Sequence, residues 1–342
     1  MFNFLKNPLH VVAKELVAKG KGILAADESS KTADKRFESV GISTTEEMRR
    51  KWRELLFTAP DAEKYLSGVI LFDETIRQSS GGILFPKLLS SRGIIPGIKV
   101  DKGLVDMPGF PGEKITEGLE GLENRLSEYS KFGAKFAKWR SVITIGENMP
   151  SKQCLKANAE ILSKYALACQ KAGLVPIVEP EVLLDGAHTI QKCEEAITET
   201  LKVLFNTLAE FKVDLKGLIL KTSMALPGKS SGQNATAKEI AEATVRALKA
   251  SVPKEVAGIV FLSGGQTPVQ ATENLNEIAK ISGKLWPLTF SYSRALQEPV
   301  LKAWVGKDEN VKMAQEIFRK RMQETSAASL GKYSSGMEQV TN

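Results

Sequence analysis

The segment LVPIVEPE (residues 174–181) is a short apolar run that ends on two carboxylates, Glu179 and Glu181. Seven other segments have the same form, because each is short and apolar and ends on a polar or charged residue. These are GKGILAAD (20–27), SGVILFD (67–73), GIIPGIKVD (93–101), KFAKWR (135–140), LKGLILK (215–221), AGIVFLSGG (257–265) and LWPLTFSYSR (285–294). Stretches with helical periodicity lie between them. Eight strand–helix units in succession predict an α/β fold of the (β/α)8 TIM-barrel type.

Charged residues at the ends of three of these runs are spaced two positions apart. The pairs are Lys99 with Asp101, Lys138 with Arg140, and Glu179 with Glu181. A period of two places both members of a pair on one face of a strand, here the inside of the barrel. Burying a charge costs free energy unless the charge is paired or used, and barrel active sites lie where the strands end. We therefore expect one functional site at the barrel mouth.

The length of the chain leaves room for more than the barrel itself. Its 342 residues exceed the roughly 250 of a typical barrel. We expect a single barrel domain over residues 1–342, with an extra amphipathic N-terminal helix in PLHVVAKELVAKG (8–20). The segment SAASLGKYSSGMEQVTN (326–342) is small and polar, which predicts a mobile C-terminal tail.

Several classes of protein and of site are disfavoured by what the sequence lacks. No run reaches the 18 or so apolar residues of a membrane span, and the opening MFNFL is too short for a signal sequence, so we expect a cytoplasmic protein. Cys154, Cys169 and Cys193 fit neither a zinc motif nor a disulfide framework and are expected to be packed thiols. With only His10 and His188, a histidine-rich metal site and a Ser-His-Asp triad are both disfavoured.

The net charge of +7 favours an anionic partner. Nucleic-acid binders usually gather Lys and Arg in stripes with aromatic residues between them. Here most basic residues alternate with acids along helices, as in TTEEMRRKWRE (44–54) and ENVKMAQEIFRKRMQE (309–324), and this pattern predicts solvated faces. The bases at the strand ends are the exception. We expect a phosphorylated small molecule rather than nucleic acid.

Lys221 is the candidate nucleophile, because it follows the apolar residues 218–220 and its amine enters a crowded, desolvated space. A free lysine has a pKa of about 10.4, and burial or a neighbouring cation lowers the pKa of a lysine and makes a Schiff-base nucleophile. Lys138 is the candidate neighbour. The alternative is a structural lysine that reaches the barrel rim or pairs with Glu181.

The segment SGGQT (263–267), after the seventh predicted strand, is a candidate phosphate site. Ser263, Gly264 and Gly265 can present successive backbone N–H groups without a Cβ in the way. Loops after the seventh and eighth strands commonly bind phosphate in barrels, and Arg294 at the end of the eighth strand adds positive charge.

Seven segments together resemble class I fructose-1,6-bisphosphate aldolases, the metal-independent Schiff-base type. In chain order they are KGILAADES (21–29), GIKVDKG (97–103), KFAKWR (135–140), VPIVEPEVLLDG (175–186), LILKTSM (218–224), FLSGGQ (261–266) and TFSYSRALQ (289–297). The resemblance extends from about residue 8 to about residue 333. It implies cleavage of fructose 1,6-bisphosphate in glycolysis and gluconeogenesis, a homotetramer, and no metal or cofactor.

The resemblance also implies roles for individual residues. Lys221 would form the imine with the keto carbon, Glu179 would donate and accept protons, and Asp27 would take the C4-hydroxyl proton. Lys138 and Glu181 would tune and orient Lys221. The residues implied for one phosphate are Ser263, Gly264, Gly265, Ser291 and Arg294, and those implied near the other end of the sugar are Arg36, Lys99 and Arg140.

Three departures from the family pattern bear on substrate contacts. Thr222 and Ser223 follow Lys221 where the family usually has Pro-Asn, and Ser293 replaces a glycine in the second phosphate segment. After the first strand, residues 29–32 (Ser-Ser-Lys-Thr) replace the usual small residues.

Two other functions are consistent with part of this pattern. A transaldolase, or an aldolase for another sugar phosphate, would also use a lysine on the sixth strand, but the bases for two phosphates argue against it. A basic barrel could instead be a scaffold for acidic filaments or nucleic acid. The presence of Asp27, Glu179 and Lys221 together argues against an active site that has lost its activity.

Overall fold

The computed structural model describes residues 7–283 and 285–339. The opening MFNFL, residue 284 and residues 340–342 of the expected tail lie outside the described residues. Eight parallel strands close into a barrel in chain order, with the last strand pairing with the first, and this confirms the predicted fold. The strands are β1 (Gly22–Ala25), β2 (Leu66–Leu71), β3 (Ile95–Lys99), β4 (Phe136–Ile143), β5 (Val175–Val182), β6 (Ile219–Thr222), β7 (Gly258–Phe261) and β8 (Leu288–Tyr292).

Helices surround the barrel and connect its strands. In the described residues they are α1 (Pro8–Leu16), α2 (Ser30–Glu38), α3 (Glu46–Phe57), α4 (Ala62–Tyr65), α5 (Asp73–Ile76), α6 (Phe85–Ser91), α7 (Leu122–Lys131), α8 (Lys152–Lys171), α9 (Ile190–Glu210), α10 (Ala237–Ser251), α11 (Pro268–Ile281), α12 (Arg294–Trp304) and α13 (Val311–Ser329). Short 3₁₀ helices span Leu215–Gly217, Asp308–Asn310 and Ser335–Gln339. Two hairpins pair Ser79–Ser80 with Ile83–Leu84, and Gly103–Asp106 with Lys114–Glu117.

Alternation along the strands separates the interior of the barrel from its outer layer. Apolar side chains at every second position form the inner cluster: Ile23, Ala25, Ile70, Phe136, Val175, Ile177, Ile219 and Val260. The positions between them, such as Leu24, Ala137, Val178 and Leu220, belong to the core under the helices. The next inward positions hold Asp27, Lys138, Glu179 and Lys221. The period of two therefore carries four charged groups to the barrel mouth, directly above an apolar floor.

Helix α1 closes the opposite end of the barrel, as the predicted extra N-terminal helix. Asn7 caps it through a hydrogen bond from the backbone N–H of Leu9, and its buried Leu16 belongs to the inner cluster. The hydroxyl of Ser67, at the start of β2, donates to the backbone carbonyl of Leu16 at 2.5 Å. The barrel floor is thus shielded from water beneath the charged groups.

The C-terminal segment begins as a continuation of a helix. Helix α13 extends to Ser329, and the Ser326 hydroxyl donates to the carbonyl of Gly20 at 2.6 Å. Tyr333 is buried and its hydroxyl donates to Glu338 at 2.8 Å. The mobility expected for residues 326–342 stays a prediction.

The structure also bears on the cysteines and on the possibility of a membrane-spanning helix. Cys154, Cys169 and Cys193 are buried free thiols, as expected. None of the described helices combines the length and apolar character that crossing a bilayer requires.

The barrel floor is tightly packed around Gly97 of β3. A Cβ at this position would lie 2.3 Å from ring carbons of Phe136 on β4. We expect Gly97→Ala to lower the free energy of unfolding by about 1–3 kcal/mol, the usual cost of overpacking a core. Urea denaturation measures this change. Gly336→Ala is the control, since a Cβ there has no neighbour nearer than 3.9 Å, and an equal loss in both variants would contradict the packing described.

Candidate active site

Four charged side chains form a continuous chain of ion pairs at the barrel mouth. The Lys221 Nζ lies 3.1 Å from Glu179 Oε1, and the Lys138 Nζ lies 3.2 Å from Glu179 Oε2. The Lys138 Nζ also lies 2.6 Å from Asp27 Oδ2. All four residues are buried, with Lys221 only 4% exposed and Glu179 only 3% exposed. Anions and cations alternate along the chain, so each buried charge has an opposite neighbour.

Burial and neighbouring charges shift the pKa values of these residues in opposite directions. Burial alone would raise the pKa of Asp27 and of Glu179, but the ammonium groups of Lys138 and Lys221 hold both well below their usual range. Burial would lower the pKa of Lys138, but Asp27 and Glu179 hold it above its usual range. At neutral pH, Asp27 and Glu179 are thus carboxylates and Lys138 is an ammonium group. Glu179 is placed to receive a proton from the Lys221 amine.

Two further ion pairs lie beside these four charged residues. Lys99 Nζ lies 2.8 Å from Asp101 Oδ1, and the Arg140 guanidinium pairs with Glu181. The resemblance implied that Glu181 orients Lys221. In the structure the ion-pair partner of Glu181 is Arg140, and Glu179 makes the contact with Lys221. The two members of each predicted strand-end pair do face the same cleft.

The segment after β7 has the backbone of an anion-binding turn. Gly264 and Gly265 have φ angles of +51° and +85°, in the left-handed region that favours glycine. The nearby Ser291 hydroxyl is buried and has no hydrogen-bond partner among the described residues, so it is available to a ligand. Arg294, the first residue of α12, is exposed beside it.

These groups line one open cleft of about 690 Å³ at the barrel mouth. Every site residue named from the sequence lines it except Gly265. The lining members are Asp27, Arg36, Lys99, Lys138, Arg140, Glu179, Glu181, Lys221, Ser263, Gly264, Ser291 and Arg294. Among the described residues, no group of three or more His, Cys, Asp or Glu side chains is arranged to hold a metal ion.

Sequence reasoning missed a polar cluster centred on Glu28. Its carboxylate pairs with Arg36, with Arg53 at 2.6 Å, and accepts the Ser293 hydroxyl at 2.6 Å and the Gln297 amide at 3.0 Å. Burial would raise the pKa of Glu28, but Arg53 and Arg36 lower it to about 2. The cluster fastens β1, α2, α3 and α12 together along one side of the cleft.

Arg53 corrects the prediction that TTEEMRRKWRE forms a solvated face. It is only 3% exposed, and Arg321 of the second such segment is likewise buried. A helical signal was available, since Arg53 lies three and four positions before the buried Leu56 and Phe57 and so shares their face. Its acidic partner is distant in sequence, and no local spacing reveals it.

The departures from the family pattern are accommodated locally. Ser293 has a φ of −105°, outside the left-handed region that favours glycine. The Ser223 hydroxyl donates to the carbonyl of Val182 at 3.0 Å. This bond anchors the end of β6 to β5 where the family usually has proline and asparagine.

A buried lysine held against a carboxylate at the mouth of an eight-stranded barrel is an arrangement typical of enzymes that act through a lysine amine. The family model described as fructose-bisphosphate aldolase class-I matches residues 8–342. The chain belongs to the class I fructose-bisphosphate aldolase family.

Individual relatives are similar over nearly the whole chain. A probable class 1 fructose-bisphosphate aldolase of Xanthomonas campestris is 53% identical over 324 residues, which are 94% of this chain and 97% of the relative. A cytosolic fructose-bisphosphate aldolase of Arabidopsis thaliana is 50% identical over 92% of this chain and 80% of the relative. The structure of a fructose-bisphosphate aldolase from Plasmodium falciparum superposes with a TM-score of 0.95 at 45% identity and covers 96% of each chain.

The depressed pKa of Glu28 predicts a pH-dependent contribution to stability. Because the folded-state value of about 2 lies below the usual 4.5, this contribution is present above about pH 4.5 and is lost as the pH falls towards 2. At one pKa unit per 1.36 kcal/mol it amounts to about 3 kcal/mol. We therefore expect Glu28→Gln to be less stable than wild type at pH 7, and the gap to narrow towards pH 2.

Urea unfolding at several pH values measures this gap. Glu195→Gln, on an exposed part of α9, is the control and should track wild type throughout. A gap for Glu28→Gln that stays constant from pH 7 to pH 2 would refute the assignment.

Proposed function

We propose that this chain catalyses the reversible cleavage of fructose 1,6-bisphosphate to dihydroxyacetone phosphate and glyceraldehyde 3-phosphate, in glycolysis and gluconeogenesis. The observation that carries the proposal is the buried Lys221 amine, 3.1 Å from Glu179 at the barrel mouth. An imine on C2 of the sugar is an electron sink, so it lets the C3–C4 bond break.

Imine formation needs a base for the amine and an acid for the leaving water. The Glu179 carboxylate accepts a proton from Lys221, whose nitrogen then attacks the C2 carbonyl carbon and forms a carbinolamine. The same carboxyl returns the proton to the C2 hydroxyl, which departs as water and leaves the iminium. One group thus serves in both directions, and its contact with Lys221 requires no rearrangement.

Carbon–carbon cleavage uses the other carboxylate. Asp27 takes the proton of the C4 hydroxyl, the C4–O bond becomes a carbonyl, and the C3–C4 electron pair moves into the enamine. Lys138, 2.6 Å from Asp27, favours the anionic form of this carboxylate. Asp27 then releases this proton to the solvent of the open cleft and is restored as a base. Lys138 would tune Lys221 electrostatically, because both ammonium groups pair with Glu179. Glu181 would influence Lys221 indirectly, because its own ion-pair partner is Arg140.

We propose that two groups of residues in the cleft bind the two phosphates of the sugar. Ser263, Gly264 and Gly265 would bind one phosphate through backbone N–H groups, with the unpartnered Ser291 hydroxyl and the exposed Arg294 completing that site. Arg36, Lys99 and Arg140 would meet the other phosphate, at the price of loosening their present ion pairs.

We further propose that residues 1–342 form a single domain that assembles as a homotetramer in the cytoplasm. Relatives named as cytosolic aldolases in Arabidopsis thaliana support the location. Light scattering coupled to size exclusion tests the assembly. A mass four times the 37.3 kDa of the chain is expected, and a monomer at micromolar concentration would contradict it.

Cleavage should need no divalent metal, because the iminium takes the electron pair. After dialysis against EDTA, we expect the rate of fructose 1,6-bisphosphate cleavage in a coupled assay to be unchanged. Loss of activity that zinc restores would contradict the Schiff-base assignment. Absence of cleavage under all conditions would overturn the proposed reaction.

Glu179→Gln should reduce turnover far more than substrate affinity. General acid–base catalysis contributes roughly 10²–10⁴ in rate, so we expect a fall in kcat of that order with KM changed only a few-fold. Steady-state kinetics measure both constants. Glu117→Gln, on the exposed hairpin, is the control. A raised KM with unchanged kcat would assign Glu179 to binding instead.

A further inference from the structure

The Ser293 hydroxyl lies at the centre of the Glu28 cluster with all of its hydrogen-bonding capacity in use. It donates to Glu28 Oε1 at 2.6 Å and accepts from Arg36 Nη1 at 3.1 Å and from Gln297 Nε2 at 3.2 Å. Ser293 precedes α12, but its side chain makes no capping bond to that helix. Its contacts therefore serve the cluster rather than the helix end.

Glu28 Oε1 is a crowded acceptor. It receives the Ser293 hydroxyl, the Gln297 amide at 3.0 Å and the Arg36 guanidinium, while Oε2 pairs with the buried Arg53 at 2.6 Å. Removal of Arg36 would leave three donors on this carboxylate. The buried carboxylate of Glu28 would still have hydrogen-bond donors, so the cluster does not need Arg36 to satisfy this charge.

Arg36 is the charged member of the cluster with the most exposed side chain. About a quarter of its side chain is exposed, whereas Arg53 and Glu28 are almost completely buried. Arg36 also lines the open cleft together with Lys99 and Arg140. A guanidinium that exchanges a crowded carboxylate oxygen for a phosphate keeps a charge-assisted bond throughout.

We propose that Ser293 is a positioning residue that releases Arg36 from Glu28 to the second phosphate of a bisphosphorylated sugar. The inference deepens the proposed function and rests on it, because it assigns the specificity of the same cleft. The Ser293 hydroxyl occupies part of the hydrogen-bonding capacity of Glu28 Oε1 and remains as a donor when Arg36 leaves. The bond that this hydroxyl accepts from Arg36 has one charged partner, whereas the bond of Arg36 to Glu28 has two and is the stronger. Without the hydroxyl, the gain in the Arg36–Glu28 pair therefore outweighs the lost contact to Ser293, and substrates that need Arg36 are affected.

The test is the ratio of kcat/KM for fructose 1,6-bisphosphate to kcat/KM for fructose 1-phosphate. Loss of one hydrogen bond changes an equilibrium by about 5-fold, so we expect Ser293→Ala to lower this ratio by about that factor through a raised KM for the bisphosphate. Ser293→Thr keeps the hydroxyl and should preserve the ratio. Ser39→Ala removes a serine that bonds only the Arg36 carbonyl, at 2.7 Å, and is the matched control.

A double-mutant cycle separates positioning from a general structural effect. Arg36→Ala should lower the ratio by itself, and Ser293→Ala should lower it no further in that background. Additive effects, or an unchanged ratio in Ser293→Ala, would overturn the role of Ser293 while leaving the aldolase reaction intact. Failure of the wild-type protein to cleave either sugar would instead overturn the proposed function.

Discussion

The buried ion-pair chain from Asp27 through Lys138 and Glu179 to Lys221 is the constraint on which the rest of the site depends. A single buried charge would cost several kcal/mol. Removal of Lys138 would take away the ion-pair partner of Asp27, and removal of Glu179 would take away that of Lys221. Alternating signs make the set tolerable. The same arrangement places a proton acceptor, Glu179, in contact with the Lys221 amine. The ion pairs that make the buried charges stable are therefore also the contacts that catalysis requires.

The barrel supplies the geometry that this chain of charges needs. The four members come from or follow four strands, and the inward positions beneath them are apolar and closed off by α1. Parallel strands bring residues distant in sequence to one rim at fixed spacing. The Glu28 cluster then fastens α2, α3 and α12 along one side, so the surrounding helices present their own charged residues to the same cleft.

Inward positions of the barrel were predictable for Lys138 and Glu179 because a period of two is visible in the sequence. Lys221 was predictable because it ends the apolar run of residues 218–220. The Glu28–Arg53 pair was not predictable, since its members are 25 positions apart with α2 between them and their spacing carries no periodic signal. The pairing of Glu181 with Arg140 rather than Lys221 depends on side-chain rotamers. The extension of α13 to Ser329 was not predicted, because composition reports polarity, whereas the packing of small residues decides where this helix ends.

In the proposed reaction, the Lys221 amine forms the covalent bond to substrate. This bond can be trapped by borohydride reduction in the presence of dihydroxyacetone phosphate and located by peptide mapping. We expect irreversible inactivation with one adduct per subunit, on the peptide that contains GLILKTSM (217–224). Lys221→Met should give a folded protein without adduct, and Lys138→Met should form the adduct more slowly. A label on Lys138 or Lys99, or sugar cleavage by Lys221→Met, would show that Lys221 is not the nucleophile.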